Sequence, residues 1–328
     1  MHFPFCRRKC SYCALYSRAV EVKSESVKCK TKEYVDEIVN HLHSTLYTLT
    51  SNFKTIYFGG GSPALCDIRP IFAALSPYID ESTEFTVELH PEDVTREKLS
   101  ELKAGGVNRI SMGLQSLDDK TLKAMNRGYD AEYAAEKFAL VKEYFENAGV
   151  DLIVGFPGDP CEGYEKLASW GLKHCSVYSL QNERNLKNVP DDDFILDKIR
   201  EVDAALGAFG LERYEISNYA AKGYECRHNF AVWRGEDYLG IGEGAFGRVG
   251  RTRTSFGKTE TVSEDDDFKE RRLFRLRTRE GLDTSGRSDW AKTMDKFVSE
   301  GLASKAESVY RLNRRGYEVV DSILAELI

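Results

Sequence analysis

Three cysteines near the start of the chain are the residues best suited to bind a metal. Cys6, Cys10 and Cys13 lie within the eight-residue stretch CRRKCSYC. A structural zinc ion usually takes four ligands from two Cys-x-x-Cys or Cys/His pairs, and the chain has no second Cys-x-x-Cys. A four-iron cluster held by three thiolates keeps one iron open to bind a small ligand. The spacing therefore favours an iron–sulfur cluster over zinc or a chance arrangement.

Composition and charge argue against several classes of protein. The 328 residues are 41% apolar and 30% charged, which is typical of a globular chain long enough for one large domain and a small one. A net charge of −7 without a basic run argues against a nucleic-acid partner. No apolar run reaches the roughly 18–20 residues of a membrane span, and none forms a signal peptide. We therefore expect a cytoplasmic protein without a transmembrane segment.

Six short runs rich in β-branched and aromatic residues predict strands. They lie at residues 2–5, 54–60, 84–91, 107–113, 150–158 and 174–180. Helical patterns lie between them, including one at 31–49 with Thr31 as its cap, one at 95–106 with Thr95 as its cap, and one at 130–149. This alternation predicts parallel strands joined by crossover helices. Six units are fewer than the eight of a closed barrel, so we predict an α/β fold with a partial (β/α)6 barrel over residues 1–180.

The character of the sequence changes after residue 180. A polar connection, a helix and a segment rich in glycine and aromatic residues extend to about residue 260, with an apparent polar linker at 254–267. The remainder has the order helix, helix, short strand, helix, which predicts a small α+β domain of winged-helix type. We thus divide the chain into 1–180, 181–260 and 261–328.

The cysteine stretch resembles the CxxxCxxC motif of the radical S-adenosylmethionine (SAM) superfamily, whose core is a six-unit partial barrel. The resemblance implies that Cys6, Cys10 and Cys13 hold a [4Fe–4S] cluster. It also implies that the fourth iron is chelated by the amino and carboxylate groups of SAM. One electron from such a cluster cleaves the sulfonium of SAM.

Further residues are similar to positions that contact SAM in this superfamily. The stretch FGGGSP resembles its glycine motif, where backbone groups approach a polar ligand because no side chain intervenes. Other matches lie at successive strand ends. The resemblance implies a SAM site formed by Gly59, Gly60, Gly61, Ser62, Glu88, Gln115, Arg127 and Asp151. Each residue also has an ordinary structural alternative, such as a strand-to-helix turn, a surface ion pair or a helix cap.

Three longer stretches, at 110–128, 150–159 and 214–245, resemble the HemN/HemW group of the superfamily. This group contains oxygen-independent coproporphyrinogen decarboxylases and haem chaperones. The decarboxylases carry a fourth cysteine two residues after the motif, where this chain has Leu15. The chain also begins close to the motif, without the decarboxylases' N-terminal extension or the tyrosine that lies two residues ahead of His2 in the family. Both features favour a chaperone.

The stretch HNFAVW resembles the HNxxYW motif that is implicated in haem binding by these chaperones. His228, Asn229 and Trp233 match the motif, whereas Val232 replaces its tyrosine. A neutral imidazole is a reasonable axial ligand for haem iron. The alternative is that His228 and Trp233 only stabilise the join between the barrel and the C-terminal part.

Two further departures lie in GEGAFGR, where Glu243 and Phe246 stand in place of the proline and histidine common in relatives. Three hypotheses remain. The favoured one is a haem chaperone with a [4Fe–4S] cluster and SAM, whose partners are haem, haem-accepting proteins and an electron donor. The second is an enzyme, either a coproporphyrinogen III decarboxylase or a radical SAM methyltransferase that opens haem. The third is a zinc-stabilised barrel. A homodimer is compatible with all three.

Overall fold

The computed structural model describes residues 1–21, 24–47 and 51–328. Its strands are β1 His2–Phe3, β2 Phe5–Cys6, β3 Arg18–Ala19, β4 Thr55–Gly60, β5 Glu84–Leu89, β6 Arg109–Gln115, β7 Asn147–Val154, β8 His174–Ser179, β9 Glu212–Arg213, β10 Asn218–Ala220, β11 Phe246–Val249, β12 Thr252–Ser255, β13 Lys258–Thr261, β14 Leu282–Asp283, β15 Ala303–Ala306 and β16 Val309–Leu312. Its α-helices are α1 Glu25–Leu46, α2 Arg69–Leu75, α3 Arg96–Ala104, α4 Asp119–Ala124, α5 Ala131–Tyr144, α6 Asp192–Ala208, α7 Arg227–Trp233, α8 Glu264–Leu273, α9 Ser288–Ser299, α10 Arg314–Glu318 and α11 Val320–Ala325.

The central sheet has the order β1-β4-β5-β6-β7-β8-β10-β9. Its first six strands are parallel, and β10 and β9 add an antiparallel edge. The six parallel strands are those predicted from the sequence, and the α/β fold is confirmed. Because the carboxyl ends of parallel strands meet at one edge, residues such as Gly60, Glu88 and Gln115 are placed close together.

Helix caps explain why the crossover helices begin where they do. Thr95 accepts a hydrogen bond from the amide of Lys98 at 3.2 Å, as its sequence position predicts. Asp118 plays the same part for α4 and Asp130 for α5. Each cap follows a strand end or a short turn, so the polar cap residues set the lengths of the loops at the carboxyl edge.

Several boundaries differ from the sequence prediction. The run at 2–5 divides into β1, in the main sheet, and β2, which pairs with β3. Helix α1 begins at Glu25, so Thr31 lies inside it, and part of its predicted end lies outside the described residues. Helix α5 ends at Tyr144 because Phe145 is extended and buried, and β7 therefore begins at Asn147.

The predicted polar linker at 254–267 is wrong. Its residues complete the antiparallel sheet β11-β12-β13 and begin α8. The C-terminal segment contains a second antiparallel sheet, β14-β16-β15, where the sequence predicted one strand. Helices α8 to α11 share with this sheet a separate apolar core centred on Trp290, Met294 and Tyr310. The three-part domain division stays a prediction. Among the described residues, no helix has the length and hydropathy needed to span a membrane.

Candidate functional site

The three motif cysteines lie beyond the carboxyl end of β1, where Cys6 ends β2 and Cys10 and Cys13 lie on the loop from β2 to β3. Cys6, Cys10 and Cys13 are half-buried free thiols. Burial is the main cause that raises the pKa of Cys6 and of Cys13, and the neighbouring thiols add to it. Within the described ranges no three His, Cys, Asp or Glu side chains form a ready metal site. The loop nevertheless brings three soft ligands to the edge where the glycine motif lies.

Two arginines inside the motif fix this loop to the turn that follows β5. Arg7 forms an ion pair with Asp93 at 2.5 Å, and the buried Asp93 also accepts a hydrogen bond from Ser62. Arg8 binds both carboxylate oxygens of Glu92, at 2.9 and 3.2 Å. Bidentate contacts of this kind fix the relative orientation of the two side chains and also pair their charges. The cysteine loop and the glycine motif are thus attached to the same turn.

Arg127 connects the loop to the end of β6. One of its terminal nitrogens lies 3.4 Å from the sulfur of Cys10, and the other donates to the carbonyl of Gly113 at 2.7 Å. Its Nε donates to the hydroxyl of Tyr129 at 2.7 Å. The guanidinium therefore presents a fixed positive charge to the cysteine loop.

Backbone contacts complete the attachment of the loop. The side-chain amide of Asn126 donates to the carbonyl of Lys9 at 2.9 Å. Arg184, in the connection before α6, donates to the carbonyl of Cys13 at 2.8 Å. Sequence reasoning missed these tethers and those of Arg7 and Arg8. For the two arginines, opposite charges in CRRKC and PED were a signal, although nothing in the sequence shows that the two stretches meet.

The glycine motif leaves no room for side chains. A β-carbon on Gly61 would lie 2.4 Å from the carbonyl oxygen of Phe5 and 2.9 Å from the sulfur of Cys6. One on Gly59 would lie 2.8 Å from the carboxylate of Glu88. The cysteine loop and a buried acid thus approach the motif backbone closely, as a site for a polar ligand requires. This cradle and the three thiols fit a cluster with a ligand beside it.

Glu88 is the acid that faces the motif. Its carboxylate accepts hydrogen bonds from the hydroxyl of Tyr57 at 2.7 Å and from the amide of Gly60 at 3.2 Å. Burial, followed by the negative charge of Asp151, raises the pKa of Glu88 to about 7. At neutral pH this carboxyl can therefore accept or donate a proton.

Asp151 and Gln115 lie on the next strands. Asp151 accepts a hydrogen bond from Ser111 at 2.9 Å, and burial raises its pKa. Gln115 has a left-handed backbone with φ of 76°, at a bulge where a β-carbon on Gly113 would meet its amide nitrogen at 2.6 Å. The structure thus brings the sequence-predicted SAM residues to one edge of the sheet.

A cavity of about 1090 Å³ runs from Gly60 and Glu88 along β4 to His228. The Nδ1 atom of His228 lies 3.0 Å from the hydroxyl of Thr55, and its ring stacks on Tyr57 with centroids 5.1 Å apart. Burial lowers the pKa of His228 to about 4. The imidazole is therefore neutral at physiological pH.

Asn229 and Trp233 are not among the residues that line this cavity. Trp233 donates from its indole nitrogen to Glu215 at 2.9 Å and meets Phe274 edge-on at 6.2 Å. The contact with Phe274 joins α7 to the C-terminal part of the chain, and the bond to Glu215 joins it to the connection between β9 and β10. The structure separates Trp233 from His228, and a role for Asn229 and Trp233 in haem binding stays a prediction.

Comparisons with known proteins agree with the fold. The Radical SAM superfamily profile matches residues 1–171. "Heme chaperone HemW" of Bacillus subtilis is 30% identical over 383 residues, covering 100% of this chain and 99% of the relative. HemW of Escherichia coli is 31% identical, covering 76% of this chain and 69% of the relative.

Among solved structures, coproporphyrinogen III oxidase (HemN) from Escherichia coli aligns with a TM-score of 0.81. It is 19% identical, and the alignment covers 99% of this chain and 88% of that one. At this identity the likeness establishes the fold alone. The chain belongs to the radical SAM superfamily and, within it, to the HemN/HemW group.

Proposed function

We propose that this protein is a haem chaperone that binds a [4Fe–4S] cluster and SAM and delivers haem to acceptor proteins. The observation that carries the proposal is the continuity of the site. The cysteine loop is attached through Arg127 and Ser62 to the edge where the SAM-type residues lie, and a cavity leads from that edge to His228. The names of the HemW relatives support the cargo.

Cys6, Cys10 and Cys13 would hold the cluster, and Arg127 would place a positive charge beside it. When bound, the cluster would supply one electron for cleavage of SAM. Hydrogen bonds and positive charge near cluster sulfurs favour the reduced state. The contact of Arg127 with Cys10 therefore gives the chain a means to tune that state.

SAM would occupy the cradle at the end of β4. The residues proposed to bind it are Gly59, Gly60, Gly61, Ser62, Glu88, Gln115, Arg127 and Asp151. Their acids supply acceptors for a cationic ligand, and Arg127 supplies a donor for a carboxylate. A positive ligand near Glu88 would lower the pKa of this carboxyl, so SAM binding would release a proton at neutral pH.

Haem would enter the cavity and meet His228. Because Nδ1 is engaged with Thr55, Nε2 is the nitrogen that would face the iron. The cavity volume of about 1090 Å³ is at the upper end of the usual range for small-molecule sites, as a macrocycle requires. Leu15 stands where the decarboxylases have a fourth cysteine, which favours haem handling over porphyrinogen chemistry.

Anaerobic reconstitution followed by haem titration tests this proposal. We expect about 4 Fe and 4 sulfide per chain, with thiolate-to-iron absorption, and a Soret shift on haem addition. Cys10→Ala should lose the cluster, whereas Cys29→Ala should keep it, because Cys29 is an exposed cysteine on α1 outside the motif. One zinc per chain without sulfide would overturn the proposal.

The cargo is tested on the same preparation. His228→Ala should weaken haem binding while the iron and sulfide content stays unchanged. Incubation with coproporphyrinogen III, SAM and a reductant should yield no protoporphyrinogen. Formation of that product would instead establish the enzyme hypothesis.

A further inference from the structure

The open side of the cavity carries an aromatic cluster that the proposed function has not used. Tyr16, Phe246 and Phe256, which we call the aromatic clasp, all line the cavity and are 38%, 60% and 51% exposed. Phe256 meets Tyr16 at 5.4 Å and Phe246 at 5.8 Å between ring centroids, both edge-on. Leu15 and Val249 extend this apolar lining and are also more than half exposed.

Phe256 occupies a backbone position that its side chain disfavours. It begins the two-residue turn between β12 and β13, whose flanking residues Ser255 and Lys258 are paired. Phe256 has φ of 49° and Gly257 has φ of 72°. Such a turn prefers Asn, Asp or Gly at its first position, and a bulky residue with positive φ is strained. The stability of the hairpin therefore does not account for a phenylalanine here, and strained residues of this kind cluster at ligand sites.

The clasp is attached to the cysteine loop. The hydroxyl of Tyr16 donates to Glu243, which also accepts a hydrogen bond from Arg18 at 2.6 Å. A β-carbon on Gly244 would lie 2.9 Å from the ring of Tyr16. Tyr16 lies three residues after Cys13, so one residue of the clasp also belongs to the cysteine loop.

We propose that the aromatic clasp is the wall that binds the planar macrocycle of the porphyrin cargo, on the open side of the cavity that contains His228. The inference rests on the proposed function and adds the binding surface to it. Edge-on and offset aromatic contacts suit a flat conjugated ring. The clasp lines a cavity of about 1090 Å³ and not a flat face, which favours a small molecule over a protein partner.

Because the aromatic clasp contacts the macrocycle, its contribution to binding does not depend on the iron. Protoporphyrin IX without iron should therefore also bind, although less tightly than haem because the contact with His228 is missing. The clasp and His228 would thus contribute separately to affinity.

Phe256→Asn tests the inference, since Asn is favoured in this turn and the fold should be retained. Haem and iron-free protoporphyrin IX are titrated against the reconstituted full chain by absorbance and fluorescence, and the Tm of the ligand-free protein is recorded. We expect Kd to rise about tenfold or more for both ligands, with a Tm equal to or above that of the unsubstituted protein. Phe194→Ala, which removes a half-exposed ring outside the cavity, should leave both Kd values unchanged.

Other outcomes would overturn the inference in recognisable ways. Unchanged Kd values in Phe256→Asn, with a lower Tm, would show that Phe256 only packs against its neighbours. Binding of haem but not of iron-free protoporphyrin IX by the unsubstituted protein would show that the iron, and not the wall, carries recognition. Failure of the unsubstituted protein to bind haem would overturn the proposed function together with the inference.

Discussion

The guanidinium of Arg127 joins the sulfur of Cys10, at 3.4 Å, to the carbonyl oxygen of Gly113, at 2.7 Å. One side chain thereby sets the distance between the cysteine loop and the end of β6. Arginine can make these contacts together because its nitrogens lie in a rigid planar fork.

Replacing Arg127 with lysine keeps the charge but removes the fork. We expect the reconstituted Arg127→Lys protein to carry less than half of about 4 Fe per chain, or to lose its cluster faster in air. Iron and sulfide analysis and the decay of absorbance measure this effect. Lys123→Arg serves as the control, because it exchanges lysine for arginine at a nearby basic residue on α4. Full cluster content with unchanged decay in Arg127→Lys would contradict the role given to the fork.

The close approach at Gly61 predicts a steric effect. A β-carbon there meets the backbone carbonyl of Phe5, which cannot rotate away, so Gly61→Ala should lower the free energy of unfolding by about 1–3 kcal/mol. Gly207→Ala is the matched control, because Gly207 lies in α6 with nothing within 4 Å of a β-carbon. It should raise the free energy of unfolding by about 0.5–1 kcal/mol. Urea denaturation of the two ligand-free variants would refute the steric argument if both shifts had the same sign.

The raised pKa of Glu88 predicts a dependence of stability on pH. The folded state binds the proton more tightly than the unfolded chain, whose carboxyl titrates near its ordinary value of 4.5. The contribution of Glu88 to stability is therefore lost as pH rises from about 4.5 to about 7, and the destabilisation is complete above that window.

Glu88→Gln removes this effect. At pH 8 the Tm of the ligand-free variant should exceed that of the unsubstituted protein, and the difference should shrink toward pH 5. At pH 8 the substitution should raise the free energy of unfolding by about 1–2 kcal/mol. The gain is limited to this range because loss of a hydrogen bond offsets part of the benefit of no longer burying a charge. Thermal melts across this pH range measure it. A Tm difference that is constant with pH would show that Glu88 titrates at its ordinary value.

The position of Trp233, outside the cavity, predicts that this residue contributes to the stability of the fold and not to haem binding. Trp233→Phe removes a donor to Glu215, which is 1% exposed and whose pKa is raised by burial. The free energy of unfolding should fall by about 1–3 kcal/mol, whereas the Kd for haem should stay within twofold of the unsubstituted value. Chemical denaturation and haem titration on one preparation test both statements. A large loss of haem affinity without a loss of stability would instead show that Trp233 contributes to haem binding.

The elements that are determined by residues close together in the sequence were predictable. The six parallel strands follow from short β-branched runs, and Thr95 caps its helix because a Ser or Thr in this position satisfies free backbone amides. The glycine and cysteine motifs predicted a site at the carboxyl edge of the sheet, and the structure places both motifs there. These features depend on residues close in sequence.

The missed features depend on contacts distant in sequence or on weak local patterns. The hairpin of β12 and β13 is polar, with β12 half-buried and β13 exposed, so it lacks the alternation of apolar and polar residues that indicates a strand. Thr31 resembles a cap, but the helix extends back to Glu25. The bond from Arg184 to Cys13 spans 171 residues and leaves no local sign in either stretch.

These long spans determine when the cysteine loop can be ordered during synthesis. Its anchors lie 86 residues away at Asp93, 117 away at Asn126 and 171 away at Arg184. Because the ribosome releases the chain from its N-terminus, the three cysteines emerge first but receive their last support only after more than half of the polypeptide has been made. The loop proposed to hold the cluster can therefore reach its final geometry only after synthesis has passed Arg184.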